Sequence, residues 1–239
     1  MNIAVLSNLS DEILPLNLKK LVSNKLIKRI IVILKYLNDE SLKKHKKIFY
    51  VKTKGYFLKK SLWNSDFSNI DFFFVENHNN NITMKIIEKN KIDYLFSSDS
   101  PYKYKKNIIY KTKGLLNIHP GLLPYYRGSN CMEWSILNDD PVGLTAYFMD
   151  QEYDSGNILL SKTCKIQNKI TYEQARIKLY KMVPEMLNKT INLIIKKNLR
   201  FKKKKKKIKF KKEVIFKPMS LVKLNLVKRK LISGNYKSY

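Results

Sequence analysis

Three polar residues near the middle of the chain are of types that together carry acyl-transfer chemistry. In "LLNIHP" Asn117 and His119 stand two residues apart, and Asp154 follows in "EYDSG". The strand period of two places Asn117 and His119 on one face, and Pro120 ends the ladder so that both emerge at the strand's end. One amide and one imidazole then point at the same spot, and a carboxylate on a loop held by Gly156 can reach the imidazole. A carbonyl carbon under attack by an amine develops an oxyanion, and preorganised donors such as Asn117 and protonated His119 stabilise it, each by roughly 10² to 10³ in rate. The attacking amine must also lose a proton and the leaving nitrogen gain one. His119 backed by Asp154 suits that work, which contributes roughly 10² to 10⁴. No G-x-S-x-G elbow lies nearby and Cys131 falls too far along the next helix to be the nucleophile, so the pattern favours direct transfer without a covalent acyl-enzyme.

The stretch around these residues differs in composition from the rest. Residues 114–160 contain no lysine, although lysine makes up 43 of the 239 residues, and they hold five of the seven glycines and three of the seven prolines. Their only basic side chain is Arg127, against six carboxylates. Burial in the heart of a sheet accounts for part of this, but not for Asn117, His119 and Asp154, which need polar partners. An ammonium close to His119 would compete with it for Asp154. In a chain that spells positive charge as lysine, Arg127 implies a need for the planar guanidinium fork, to hold a carboxylate or the turn's carbonyls.

These residues need a scaffold that brings strand ends together. "MNIAVLS", "IKRIIVILKY", "DFFFVE", "DYLFSS", "GLLNIH" and "GLTAYFMD" are short apolar, β-branched runs. They alternate with helical patterns in "PLNLKKLVSNK" and "ITMKIIEKN", which predicts an α/β fold with an open, mostly parallel, twisted sheet flanked by helices. Ligands of such sheets bind at the carboxyl ends of the strands. Further on, Thr171 and Gln174 form a capping-box pattern at the start of a helix that Pro184 should kink or divide. Asn130 and Glu133 suggest another capping box, opening a helix that carries Met132 and Trp134 into the core. The expected organisation is a catalytic domain over residues 1–197 and a basic extension over 198–239, which includes the lysine block Lys202–Lys207.

The net charge of +29 would ordinarily point to nucleic acid or an anionic membrane surface. With only five arginines, and with isoleucine and asparagine abundant, a solvated lysine-rich surface is the simpler reading. Two cysteines without metal-type spacing, no secretory leader pattern and no apolar run of membrane length predict a soluble, cytoplasmic protein with no metal site.

"NIHPGLLPYYRG", followed by "ILNDDPVGLTAYFMDQEYDSGNIL", resembles the signature of the formyltetrahydrofolate-dependent formyltransferases. That group includes methionyl-tRNA, glycinamide ribonucleotide and amino-sugar formyltransferases, and the resemblance is specific over residues 93–160. It implies a Rossmann-like formyltransferase fold, 10-formyltetrahydrofolate as formyl donor, and Asn117, His119 and Asp154 as the catalytic triad. It also implies that "YLFSSDSPYK" is the folate-binding loop, giving Phe96, Ser97, Ser98, Asp99 and Tyr102 as folate contacts, with Tyr153 and Gly156 from the turn around Asp154. Gly121 stands where many members have serine. The first loop, "LSNLSDEILP", lacks a glycine-rich phosphate cradle, which counts against glycinamide ribonucleotide. It also lacks the Phe-x-Gly-Thr-Pro pattern of methionyl-tRNA formyltransferases, and the residues after the core are few for their C-terminal barrel. "RGSNCMEW" is similar to the sugar-amine branch. The expected acceptor is therefore a small-molecule amine, a nucleotide-linked amino sugar. The alternatives are methionyl-tRNA with a truncated C-terminal part, glycinamide ribonucleotide, or a non-catalytic RNA-binding relative. The oligomeric state is open, a homodimer being one possibility.

Overall fold

β1 (Asn2–Asn8), β2 (Arg29–Lys35), β3 (Asp71–Val75), β4 (Tyr94–Ser97) and β5 (Leu115–His119) pair in parallel in the spatial order β3-β2-β1-β4-β5. β7 (Gly143–Phe148) joins β5 antiparallel, and β8 (Asn157–Thr163) pairs antiparallel with β7 to complete a seven-stranded sheet. This is a computed structural model, and it describes residues 1–57, 67–98, 103–167, 169–202 and 215–237.

The parallel strands are covered on both faces, which is why runs such as "RIIVILK" are almost continuously apolar. On one face Val5, Val32, Phe96 and Leu116 pack with Leu18 of α1 (Leu14–Val22), Leu179 of α6 (Tyr172–Lys181) and Leu187 of α7 (Val183–Lys197). On the other, Ala4, Leu6, Ile31, Leu95 and Leu115 pack with Ile87 of α3 (Asn81–Lys89) and Ile108 of the short α4 (Lys106–Ile109). The lysine-rich α2 (Asp39–Thr53) buries only Phe49 and Thr53 of its residues, so its sequence shows little apolar period.

The Thr171 capping box forms: its hydroxyl accepts from Gln174 N at 3.2 Å and Gln174 Oε1 accepts from Thr171 N at 2.8 Å. The helical segment divides at Met182, which ends α6 and caps α7, and Pro184 lies in the first turn of α7, where its missing N–H removes no helical bond. The capping box expected at Asn130 does not form. Asn130 heads α5 (Cys131–Leu137) in the left-handed region, with φ 54°, and makes no side-chain cap; its Oδ1 instead accepts from Met219 N at 3.1 Å. Glu133 turns inward and forms a fully buried ion pair with Arg176 of α6, joined by the Tyr172 hydroxyl at 2.6 Å. A guanidinium satisfies that buried carboxylate better than one backbone N–H would. Met132 is fully buried, whereas Trp134 is half-buried.

Beyond residue 197, β9 (Ile215–Phe216) pairs in parallel with the two-residue β6 (Arg127–Gly128). α8 (Leu221–Ser233) follows, and its Val227 and Leu231, with Tyr236 beyond it, lie in the main core. Of the lysine block only Lys202 is among the described residues.

Candidate functional site

The chain reverses its direction of progress across the sheet between β1 and β4, and such a reversal opens a crevice at the carboxyl ends of the strands. A cavity of about 460 Å³ lies there, lined by residues from the ends of β4 and β5, from β7 and from the loop after it. Asn117 and His119 do share a face of β5. Antiparallel pairing sets Tyr147 of β7 opposite Asn117 and Thr145 opposite His119.

Asp154 returns to these residues from the loop between β7 and β8, in a left-handed backbone conformation with φ 49°. Its Oδ2 accepts from Gly128 N at 2.7 Å and lies 3.6 Å from His119 Nδ1, while its Oδ1 accepts from the Tyr147 hydroxyl at 2.8 Å. Asn117 Nδ2 donates to the same hydroxyl at 3.2 Å. His119 Nε2 lies 2.8 Å from the Tyr126 carbonyl. A carbonyl only accepts, so Nε2 carries the proton and Nδ1, facing Asp154, is the basic atom in the neutral ring. The three residues picked from the sequence thus meet at one end of the cavity, joined by Tyr147, which the sequence did not single out. The alternation in "GLTAYF" puts Thr145 and Tyr147 on one face, but only the antiparallel pairing with β5 shows which residues they oppose.

The close neighbours of Gly121, behind the cavity wall formed by His119 and Pro120, leave no room for a side chain. A Cβ there would lie 2.7 Å from both His119 Nε2 and the Tyr126 carbonyl oxygen, and 2.8 Å from the Cys131 Cβ. Glycine at this turn lets the imidazole reach its carbonyl partner. Arg127 uses its fork on one carbonyl: Nε and one terminal nitrogen donate to Tyr153 O at 3.0 and 2.6 Å, fixing the loop that carries Asp154. Gly156 lies away from the cavity, where a Cβ would sit 1.6 Å from the Phe148 carbonyl oxygen, so its role is to let the loop turn under β7.

Of the expected folate contacts, Phe96, Ser97, Ser98 and Tyr153 line the cavity; Asp99 and Tyr102 lie outside the described residues. Ser97 Oγ contacts the Tyr104 hydroxyl at 3.2 Å. Ser98 Oγ donates to Asp11, whose carboxylate also accepts from Ser7 Oγ and from Ile13 N and Leu14 N at the start of α1. Burial holds the Asp11 carboxyl above the usual range despite these donors. The loop after β1 therefore brings a carboxylate to the cavity rather than a row of free N–H groups. Phe216, Lys217 and Pro218 form a wall unforeseen from the sequence. Phe216 stacks on Tyr126 and on Trp134 with ring centroids 5.2 Å apart in each case, and the Lys217 carbonyl accepts from Trp134 Nε1 at 3.2 Å.

The sheet is mostly parallel and Rossmann-like, with Asn117, His119 and Asp154 meeting in the cavity at the carboxyl ends of its parallel strands. Residues 105–191 match the formyl transferase family. Over 128 residues, 53% of this chain and 41% of the relative, the sequence is 36% identical to methionyl-tRNA formyltransferase of Buchnera aphidicola. It is 30% identical over 170 residues, 70% of this chain and 24% of the relative, to the bifunctional polymyxin resistance protein ArnA of Wigglesworthia glossinidia brevipalpis. The chain thus spans less than half the length of these curated relatives. In fold it is similar to a 4-N formyltransferase from Francisella tularensis, with TM-score 0.60 at 21% identity over 91% of this chain and 76% of that one. It is also similar to glycinamide ribonucleotide transformylase 1 from Symbiobacterium toebii, with TM-score 0.62 at 15% identity over 82% and 88% of the two chains. No helix among the described residues is long and apolar enough to cross a membrane.

Proposed function

We propose that this chain moves a formyl group from 10-formyltetrahydrofolate to a primary amine of a small molecule, a nucleotide-linked amino sugar, in a cytoplasmic setting. The observation that carries the proposal is the meeting of Asn117, His119 and Asp154 at the end of one cavity, on the stretch that matches the family. The cavity's materials suit a flat, partly apolar donor: Phe96, Ile118 and Met149 offer apolar surface and Tyr153 an aromatic ring at the rim. When bound, the donor supplies an activated formyl carbonyl. Asn117 keeps one amide N–H for the developing oxyanion. His119 takes the amine proton at Nδ1, with Nε2–H held by the Tyr126 carbonyl, and Asp154 stabilises the charge that the ring acquires. His119 then gives that proton to the leaving nitrogen as the old C–N bond breaks and the new one to the amine is complete.

The buried carboxylate after β1 supports an acceptor that does not place phosphate on that loop, in contrast to glycinamide ribonucleotide. Methionyl-tRNA is the second reading, favoured by the 36% identity to an enzyme of that name. The test incubates the protein and 10-formyltetrahydrofolate with amino-sugar nucleotides, initiator methionyl-tRNA and glycinamide ribonucleotide. Turnover with an amino sugar is expected, and it should fall by about 10² or more in His119→Ala and Asn117→Ala. Turnover confined to tRNA or to glycinamide ribonucleotide overturns the acceptor. Absence of turnover, with salt-sensitive RNA binding lost on deleting Lys202–Lys207, would identify an RNA-binding relative instead.

A further inference from the structure

We infer that Tyr147 is a positioning residue of the formyl-transfer site, whose hydroxyl sets the orientation of the Asn117 amide by standing between that amide and Asp154. The inference rests on the function proposed above and assigns a role to a residue outside the triad.

The geometry leaves one consistent hydrogen pattern. The Tyr147 hydroxyl has a single proton, and its contact at 2.8 Å is a carboxylate oxygen of Asp154, which as a carboxylate only accepts. The proton therefore points at Asp154. A hydroxyl whose proton is used can only accept from its other neighbour, so the Asn117 atom 3.2 Å away must be Nδ2. The rotation of the Asn117 amide, otherwise free to present either oxygen or nitrogen to the cavity, is fixed through Tyr147 by the charge on Asp154. One N–H of Asn117 is committed to the phenol and the other is left for a ligand in the cavity it lines.

Two further features hold this pattern in place. Tyr147 is 1% exposed and sits directly opposite Asn117 in the β5–β7 register, which holds its hydroxyl beside that amide. Burial, and after it the Asp154 charge, raises the phenol well above its ordinary range, which keeps its proton in place as a donor. Asp154 is itself tied down by Gly128 N. Removing the hydroxyl would leave Asp154 Oδ1 and one Asn117 N–H without their partner while the ring still fills its space.

The experiment is Tyr147→Phe in the full chain, read in two ways. In steady-state assays with 10-formyltetrahydrofolate and whichever amine the wild type uses, kcat should fall by about tenfold or more while KM for each substrate stays within about threefold. A smaller fall in kcat, or a loss carried by KM, overturns the role. If the wild type transfers formyl to no amine in the panel, the proposed function fails by itself and the second readout still decides the geometry. In ¹⁵N-labelled protein the Asn117 side-chain amide, assigned by its loss in Asn117→Asp, should have one N–H protected from solvent exchange, and Tyr147→Phe should abolish that protection. Unchanged exchange overturns the inference. Should Tyr147→Phe not fold, the wild type alone suffices: the Asn117 amide protons should show cross-relaxation with the Tyr147 ring, and its absence overturns the proposal.

Discussion

Gly121 stands in a turn where geometry leaves little freedom. A side chain there would meet His119 Nε2, the Tyr126 carbonyl and Cys131, all within 2.8 Å. Of these only His119 can swing, and swinging breaks its bond to Tyr126 and moves Nδ1 relative to Asp154. Gly121→Ser should therefore act on turnover and on folding together, because the Tyr126 carbonyl and the Cys131 Cβ must shift as well. We expect kcat to fall by about 10² and the thermal midpoint by several degrees, as for about 1–3 kcal/mol of overpacking in a domain of this size. Steady-state kinetics beside a melting curve checks this; unchanged kcat would mean that the turn relaxes around the hydroxyl and leaves the imidazole in place. The same residue shows what a sequence can and cannot reveal. That the turn carries a glycine is evident from the letters, but that this glycine admits an imidazole is a matter of three distances.

Among elements, the tie between α5 and α6 is the one most open to test. Glu133 is 0% exposed and Arg176 2%, and the guanidinium with the Tyr172 hydroxyl satisfies the carboxylate. Burial opposes the Glu133 charge, but Arg176 prevails and holds the carboxyl at about 2, below its ordinary 4.5. A depressed carboxyl contributes stability that is present above about pH 4.5 and is lost as pH falls toward 2. Arg176→Met leaves the carboxylate buried without its cation, and breaking such a pair costs about 3–5 kcal/mol. In the variant, burial now raises the Glu133 carboxyl, so the loss should be large at pH 7 and smaller at pH 4, where the group can bind a proton. Urea unfolding of both proteins at the two pH values checks the sign; an equal gap at both would remove Glu133 from the account. Asn130 and Glu133 have the letters of a capping box, as Thr171 and Gln174 do, and only the second pair forms one. Local patterns were sufficient for the β-branched strands, for the division of α6 from α7 near Pro184 and for the shared face of Asn117 and His119. They were silent where partners are far apart in sequence: Glu133 with Arg176, β6 with β9, and β5 with β7, whose register brings in Tyr147.

On the scale of the whole molecule, the net charge of +29 acts on stability whatever it does for binding. Nineteen carboxylates stand against 48 lysines and arginines, so most cations lack a counter-charge and repel one another in the folded state. Pairs such as Lys113 with Asp93 at 2.6 Å and Lys230 with Asp139 at 2.6 Å are surface pairs, each worth about 1 kcal/mol or less. The repulsion is spread over the whole surface and is screened once the Debye length shrinks from about 30 Å at 0.01 M salt to about 10 Å at 0.1 M. Unfolding moves the cations apart, so screening relieves the folded state more than the unfolded one. The thermal midpoint should therefore rise by several degrees between 0.01 and 0.3 M sodium chloride, and equally with other monovalent salts of the same ionic strength. A flat or falling curve would mean that the carboxylate pairs outweigh the excess lysines. The rise should persist in His119→Ala, because it belongs to the lysine-rich surface and not to the lysine-free stretch that holds the site.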